Sequence, residues 1–141
     1  MSKYFDLSEF IASDTAKRMN IDNTPSFEVV ESLSELADVL DGLRAAWGSA
    51  IEVTSGYRCP ALNKAVGGVQ NSAHLRGVAA DLVPANGRME DFKHFVVSWV
   101  ASSGTKFDQL IMESAKGAQW VHFGLWSDKW QQRGQILNID K

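Results

Sequence analysis

The change of hydrophobic period between residues 33 and 54 constrains this chain more than any other feature. Leu33, Leu36, Ala37, Leu40, Leu43 and Trp47 recur at helical spacing. Directly after them, Ile51-Glu52-Val53-Thr54 alternates at period two with β-branched residues, as a strand does. Ser32 and Glu35 have the spacing of a capping box, so the helix is expected to begin there. Gly48 can take the left-handed conformation that ends it. A one-sided helix running into a strand needs a second layer to cover its apolar stripe.

The remaining elements follow the same signals. Residues 6–19 read as one helix with a moderate apolar face, and Asn23 and Pro25 break the chain after it. Cys59 to Val66 reads as a short helix with Pro60 in its first turn, ended by Gly67-Gly68. Val78 to Val83 reads as a buried strand closed by Pro84. Met89 to Val100 is a second amphipathic helix, with Phe92, Phe95, Val96, Trp99 and Val100 on one face and Gly104 at its end. Gln109 to Met112 and Trp120 to Phe123 read as two strands around a loop containing Lys116-Gly117. The expected fold is α+β, a small and mostly antiparallel sheet flanked by helices. No repeat or linker divides the chain, so residues 1–141 are expected to form one domain. The stretch from Asp128 to Lys141 has no clear periodicity.

Several function classes are disfavoured by composition. The formal net charge is −3 and no dense Lys/Arg block occurs, which argues against a nucleic-acid binder. The same balance gives no steering toward an anionic polymer. No apolar run approaches the roughly 18–20 residues that span a bilayer, so membrane insertion is not expected. The start, MSKYFDLSEF, lacks the basic and apolar regions of a secretory signal. The protein is therefore expected in the cytoplasm as synthesised, and a monomer is expected. Cys59 is the sole cysteine, so neither an internal disulfide nor a cysteine-based structural zinc site can form.

Any metal must then be held by His and carboxylate, and there are three histidines: His74, His94 and His122. His74 and Asp81 lie seven residues apart with Gly77 between them. The glycine permits a sharp reversal, which lets a loop His and a strand Asp converge. His122, from the last recognised strand, would be the third ligand. Two His and one carboxylate, with a fourth position left to water, is a pattern of catalytic zinc. The spacing alone is common by chance.

The motifs around these residues are more specific. Ser55-Gly56-Tyr57-Arg58-Cys59-Pro60-Ala61-Leu62-Asn63, Val66-Gly67-Gly68, Asn71 to Asp81 (NSAHLRGVAAD) and Trp120-Val121-His122 together resemble the M15 peptidases. That family includes D-alanyl-D-alanine carboxypeptidases, vancomycin-resistance dipeptidases and phage endolysins. The likeness is strongest to short, single-domain forms and covers roughly Phe5 to Phe123. It implies a hedgehog/D-Ala-D-Ala peptidase-like fold and zinc bound by His74, Asp81 and His122. It also implies that Arg58 holds the substrate carbonyl or the developing oxyanion, a task suited to a fixed, always-charged fork of donors. Ser72 matches a serine that contacts substrate. The implied activity is hydrolysis of amide bonds in bacterial cell-wall peptides, as carboxypeptidase or endopeptidase. A phage or prophage lysin would reach the wall after release or as part of a virion.

The chain departs from the family pattern at one place. Several members carry their general base three residues before the last His ligand, and here that position is Gln119, which cannot take a proton. Glu113 is the replacement candidate. With a hairpin loop of two or four residues, Ser114 pairs with Gln119, Glu113 with Trp120 and Ile111 with His122. Glu113, Trp120 and His122 then share a face, Glu113 and His122 as diagonal neighbours about 7–8 Å apart, while Gln119 faces away. A three-residue loop would turn Glu113 away from the zinc.

Plainer readings stand beside these. His94 reads as a solvated or packing histidine, and Cys59 as a small buried residue near the site. Arg58 without the family match would be a surface charge, Ser72 a turn cap, and Glu113 an exposed strand residue. Trp120 faces the site if the register holds, and core or edge packing is the default for Trp126 and Trp130. A rival function is also open: a non-catalytic, zinc-containing cell-wall-binding or virion structural module, motivated by Gln119.

Overall fold

Alternation along four strands gives the sheet two chemically different faces. The computed structural model describes residues 2–141. In chain order they form α1 (Leu7–Ile11), α2 (Asp14–Met19), α3 (Phe27–Trp47), β1 (Ile51–Ser55), α4 (Pro60–Ala65), a 3-10 turn (Ala73–Arg76), β2 (Ala79–Pro84), α5 (Met89–Ser103), β3 (Gln109–Ala115), β4 (Ala118–Gly124) and β5 (Gln135–Asp140). The strand order is β1-β2-β4-β3-β5. Every neighbouring pair is antiparallel except β3 with β5, which run parallel. The α+β architecture and mostly antiparallel sheet expected from the sequence are both present.

The core lies between one sheet face and the two long helices. Leu33, Leu36, Leu40 and Leu43 of α3 and Phe92, Val96 and Val100 of α5 pack with Leu82, Leu110, Val121 and Phe123 of the strands. Burying each such side chain stabilises the fold by about 1.5–3 kcal/mol. Trp47 closes the end of this layer with its ring 5.2 Å from Phe92 and 5.3 Å from Phe95. Residues between the core positions (Asp81 on β2, His122 and Trp120 on β4, Ile111 and Glu113 on β3) face the other way, as a period of two requires.

Three expectations need correction. The single helix over residues 6–19 is two short ones. Ser13 adopts extended backbone and accepts a hydrogen bond from the Ala16 amide, so it caps α2 and breaks the run. The long helix begins not at Ser32 but at Phe27, capped by Ser26, whose side chain accepts from the Val29 amide. The tail contains a strand, β5, whose residues are exposed throughout. Elsewhere the boundaries move little: α4 starts with Pro60 as its first residue, and α5 runs three residues past Val100.

The hairpin that fixes Glu113 has the two-residue loop. Ala115 pairs with Ala118, Ser114 with Gln119, Glu113 with Trp120 and Ile111 with His122. Lys116 and Gly117 have φ of 50° and 83°. A tight hairpin turn takes positive φ at both central residues because that matches the strand twist.

Candidate active site

Three segments distant in sequence are tied together beneath the open sheet face. Ser72 accepts a hydrogen bond from the His74 amide at 3.2 Å and caps the 3-10 turn that carries His74. Gly77 ends that turn at φ 71°, in the left-handed region, and the chain reverses into β2. The His74 carbonyl accepts from the Arg58 amide at 3.1 Å. His74 Nδ1 donates to the Gly56 carbonyl at 2.6 Å. Gly56 itself lies so close to the Phe10 backbone that a Cβ there would collide with the Phe10 carbonyl oxygen. The Ser-Gly-Tyr-Arg string thus works as a brace. Its glycine admits α1, its carbonyl orients His74, and its arginine enters the site.

Asp81 is reached from both sides. His74 Nε2 lies 3.3 Å and His122 Nδ1 3.1 Å from Asp81 Oδ1. One donor atom from each of the three residues lies within 4.8 Å of the others. A tetrahedral ion with ligand bonds of about 2.0–2.1 Å sets its donors roughly 3.3–3.4 Å apart, so the two His–Asp81 separations are close to those of a formed zinc site. Protonation chemistry agrees. The Gly56 carbonyl can only accept, so it fixes His74 with its proton on Nδ1, and the Nε2 lone pair faces a carboxylate oxygen. Two lone pairs in a buried pocket need a proton or a cation between them. Burial pushes the His74 pKa down, outweighing the favourable pull of Asp81, which disfavours the proton. Burial alone would raise the Asp81 carboxyl, but hydrogen bonding from the His122 ring outweighs it and holds the group well below the usual carboxylate range. An ionised carboxylate and an imidazole kept neutral are the protonation states that a divalent cation requires. A carbonyl on the remote ring nitrogen is also the usual orienting partner of a metal-binding histidine.

Arg58 lies beside this cluster, not at the surface. Its side chain is 14% exposed, with one guanidinium nitrogen 3.8 Å from Asp81 Oδ2. Nε donates to Ser55 Oγ at 3.1 Å and Nη1 to Asn63 Oδ1 at 2.9 Å. Burial pushes the guanidinium down from its ordinary value, opposed by the charges of Asp81 and Glu113. It still carries its charge, as arginine does in proteins.

Arg58, Ser72, Glu113 and Trp120 border the same groove of about 840 Å3 whose floor includes His74, Asp81 and His122. Glu113 is buried, not an exposed strand residue. Gln119 is exposed and lines a separate depression beside Val83 and Met89. His94 is exposed, away from the site. Cys59 is half-buried, not buried, and caps α4, its sulfur accepting from the Leu62 amide at 3.5 Å. Trp126 borders the groove and donates to Glu35 at 2.6 Å, whereas Trp130 is exposed and packs against it.

Sequence reasoning missed three supporting residues. Asn23 donates to the carbonyls of Ile11 and Tyr57, each at 3.0 Å, and accepts from the Cys59 amide at 2.8 Å. Asn63 holds Arg58 and also donates to the Val69 carbonyl at 2.9 Å. Its signal was a polar residue on α4 just before the Gly67-Gly68 turn. Lys141, from the unassigned tail, contacts Glu113.

A groove with a buried His-Asp-His cluster, an arginine and a facing glutamate defines a hydrolase-like site suited to a metal. The model of the family described as Peptidase M15 matches residues 3–122. The chain therefore belongs to the M15 peptidases and is a peptidase. M15 is a zinc-dependent family, and the donor set at His74, Asp81 and His122 fits that ion. None of the curated proteins compared matches the chain. No helix among the described residues is long and apolar enough to cross a membrane.

Proposed function

We propose that this chain is a zinc peptidase that hydrolyses amide bonds in bacterial peptidoglycan peptides, with zinc held by His74, Asp81 and His122. The observation that carries the reading is the convergence of those three donors on the floor of a groove bordered by Arg58 and Glu113. Zinc in such a site polarises a carbonyl and makes hydroxide available near neutral pH. Everything else is the work of side chains. Glu113 accepts a proton from the attacking water and delivers it to the leaving amine as the C–N bond breaks. Arg58 donates to the oxygen that gains negative charge in the tetrahedral intermediate, and its tethers to Ser55 and Asn63 pre-order that fork. Ser72 and Trp120 contact the peptide.

Cell-wall peptides as substrate rest on the likeness of the Ser-Gly-Tyr-Arg and Ser-x-His motifs to wall-cutting members of the family. A phage or prophage lysin acting as a monomer is the setting we infer. Gln119 favours one other reading, a zinc-containing module that binds wall or virion without cutting. Glu113 on the groove face supports the catalytic reading over it. The deciding experiment is digestion of purified peptidoglycan by zinc-loaded protein beside His74→Ala, with fragments read by mass spectrometry. New amine ends that need His74 are expected and identify the bond. Stoichiometric zinc with no cleavage of chemically diverse walls would leave the binding module standing.

A further inference from the structure

Glu113 is held by a residue from outside the part of the chain that the family model matches, which ends at residue 122. Lys141 Nζ lies 3.0 Å from Glu113 Oε2, and this is the one side-chain ion pair or hydrogen bond of Glu113 among the described residues. The glutamate side chain is 9% exposed and the lysine side chain 56%. The ammonium also lies 5.9 Å from the centre of the Trp120 ring, and Trp120 is paired with Glu113 across the hairpin. The tail that delivers it is fastened at both ends. Arg133 grips Asp108 through Nε and Nη2, each at 2.8 Å. At the far end the Lys141 amide donates to the Ser114 carbonyl at 2.7 Å, and Ser114 Oγ donates to Asp140 at 2.7 Å. Between these anchors β5 runs parallel to β3, with Ile139 beside Glu113.

We propose that Lys141 is a positioning residue for the reaction: it holds Glu113 by Oε2, leaving Oε1 as the oxygen that exchanges protons with water and leaving amine. The inference rests on the reading of Glu113 as the base. A carboxylate on a strand has free χ angles unless something fixes them, and small misplacements of a catalytic group are expensive. An exposed lysine just past the end of an edge strand contributes little to the fold. Its contact with the base is therefore where its effect is expected.

The test compares the zinc-loaded protein with Lys141→Met, Lys141→Arg, Glu113→Gln and the Lys141→Met/Glu113→Gln double variant, on soluble stem-peptide fragments of peptidoglycan. Lys141→Met is expected to lower kcat by roughly tenfold or more with KM unchanged. Lys141→Arg should restore most of it, and the double variant should be no slower than Glu113→Gln alone. A second readout needs no substrate: the carboxyl 13C resonance of Glu113 should move in Lys141→Met and return in Lys141→Arg. An unchanged kcat in Lys141→Met, an unmoved resonance, or losses that multiply in the double variant would overturn the proposal. A rise in KM alone would overturn it in favour of a lysine that binds a substrate carboxylate. Full activity in Glu113→Gln would instead remove the base reading, and the positioning role with it.

Discussion

The two faces of the sheet are built from neighbouring residues of the same strands, yet they obey opposite rules. On one face Leu82, Leu110, Val121 and Phe123 are fully buried against α3 and α5 and supply stability. On the other, Asp81, Glu113 and His122 are nearly as buried but polar. Desolvating such groups opposes folding unless they are paired, and both His74 and His122 crowd around one oxygen of Asp81. The contrast teaches that the open face is kept for chemistry at some loss of stability, while the core face stabilises the platform. Substitutions on the two faces should therefore separate activity from stability.

The largest separation is expected at His122. His122→Ala should abolish stoichiometric zinc binding and reduce peptidase activity to background. The metal-free fold should melt close to the parent temperature, because the residue contributes polar contacts and no core packing. Zinc titration by calorimetry with a parallel melt checks both halves. A melt collapse comparable to that of a core truncation would break the comparison.

Arg58 comes next. Removing one preorganised donor to an oxyanion typically slows a reaction by about 10²–10³-fold, and Arg58→Ala should fall in that range in kcat/KM. Arg58→Lys should recover little, because an ammonium cannot reach Ser55, Asn63 and the substrate with one planar fork. Steady-state kinetics on a wall peptide gives the answer, and full recovery by lysine would reduce Arg58 to a point charge.

On the core face the sign reverses. Leu40 is fully buried in α3, and Leu40→Ala should cost about 2–5 kcal/mol of stability from lost transfer energy and the cavity left behind. Activity per folded molecule should stay near the parent value at a temperature where the variant remains folded. Denaturant melts and active-site titration by zinc content separate the two quantities. A large loss of specific activity would mean that α3 packing reaches the site geometry.

The same contrast explains what could be read from the sequence. The core face was legible because apolar residues at helical and alternating spacing announce it. The hairpin register was legible because Lys116-Gly117 admits few turns, and one residue of slip would invert every side chain. His74, Asp81 and His122 stood out because three histidines leave few ligand sets and the motifs around them resemble the M15 pattern, and the fold brings their donor atoms within 4.8 Å of one another. The failures lie where burial leaves no periodic trace. The first turn of α3 is solvent-exposed, Phe27 at 77%, so only the Ser26 cap marked it, and Ser32-Glu35 gave a stronger but false signal. The break between α1 and α2 depends on the Ser13 cap. Strand β5 is an exposed edge held by backbone pairing and the Asp108–Arg133 grip, neither of which has a pattern in sequence. Lys141 could not be connected to Glu113 without it.

The smallest expected effect is a pH dependence confined to the open face. Burial lowers the His74 pKa, so below about 6.5, the ordinary imidazole value, the unfolded chain takes up a proton that the folded site resists. The unfolded state then binds more protons, and stability must fall with falling pH. The loss begins near pH 6.5 and levels off once pH passes below the folded-state value. Asp81, held low by His122 and His74 against its own burial, adds a further loss of the same sign below about pH 4. Melts of the metal-free protein between pH 7.5 and 5 should show the first decline, and His74→Ala should flatten it. Zinc should steepen it, because ligand protons compete with the ion. A metal-free protein whose stability rises toward pH 5 would mean that the site takes up protons more readily than the unfolded chain. The neutral His74 that makes the open face ready for metal would then have to be given up.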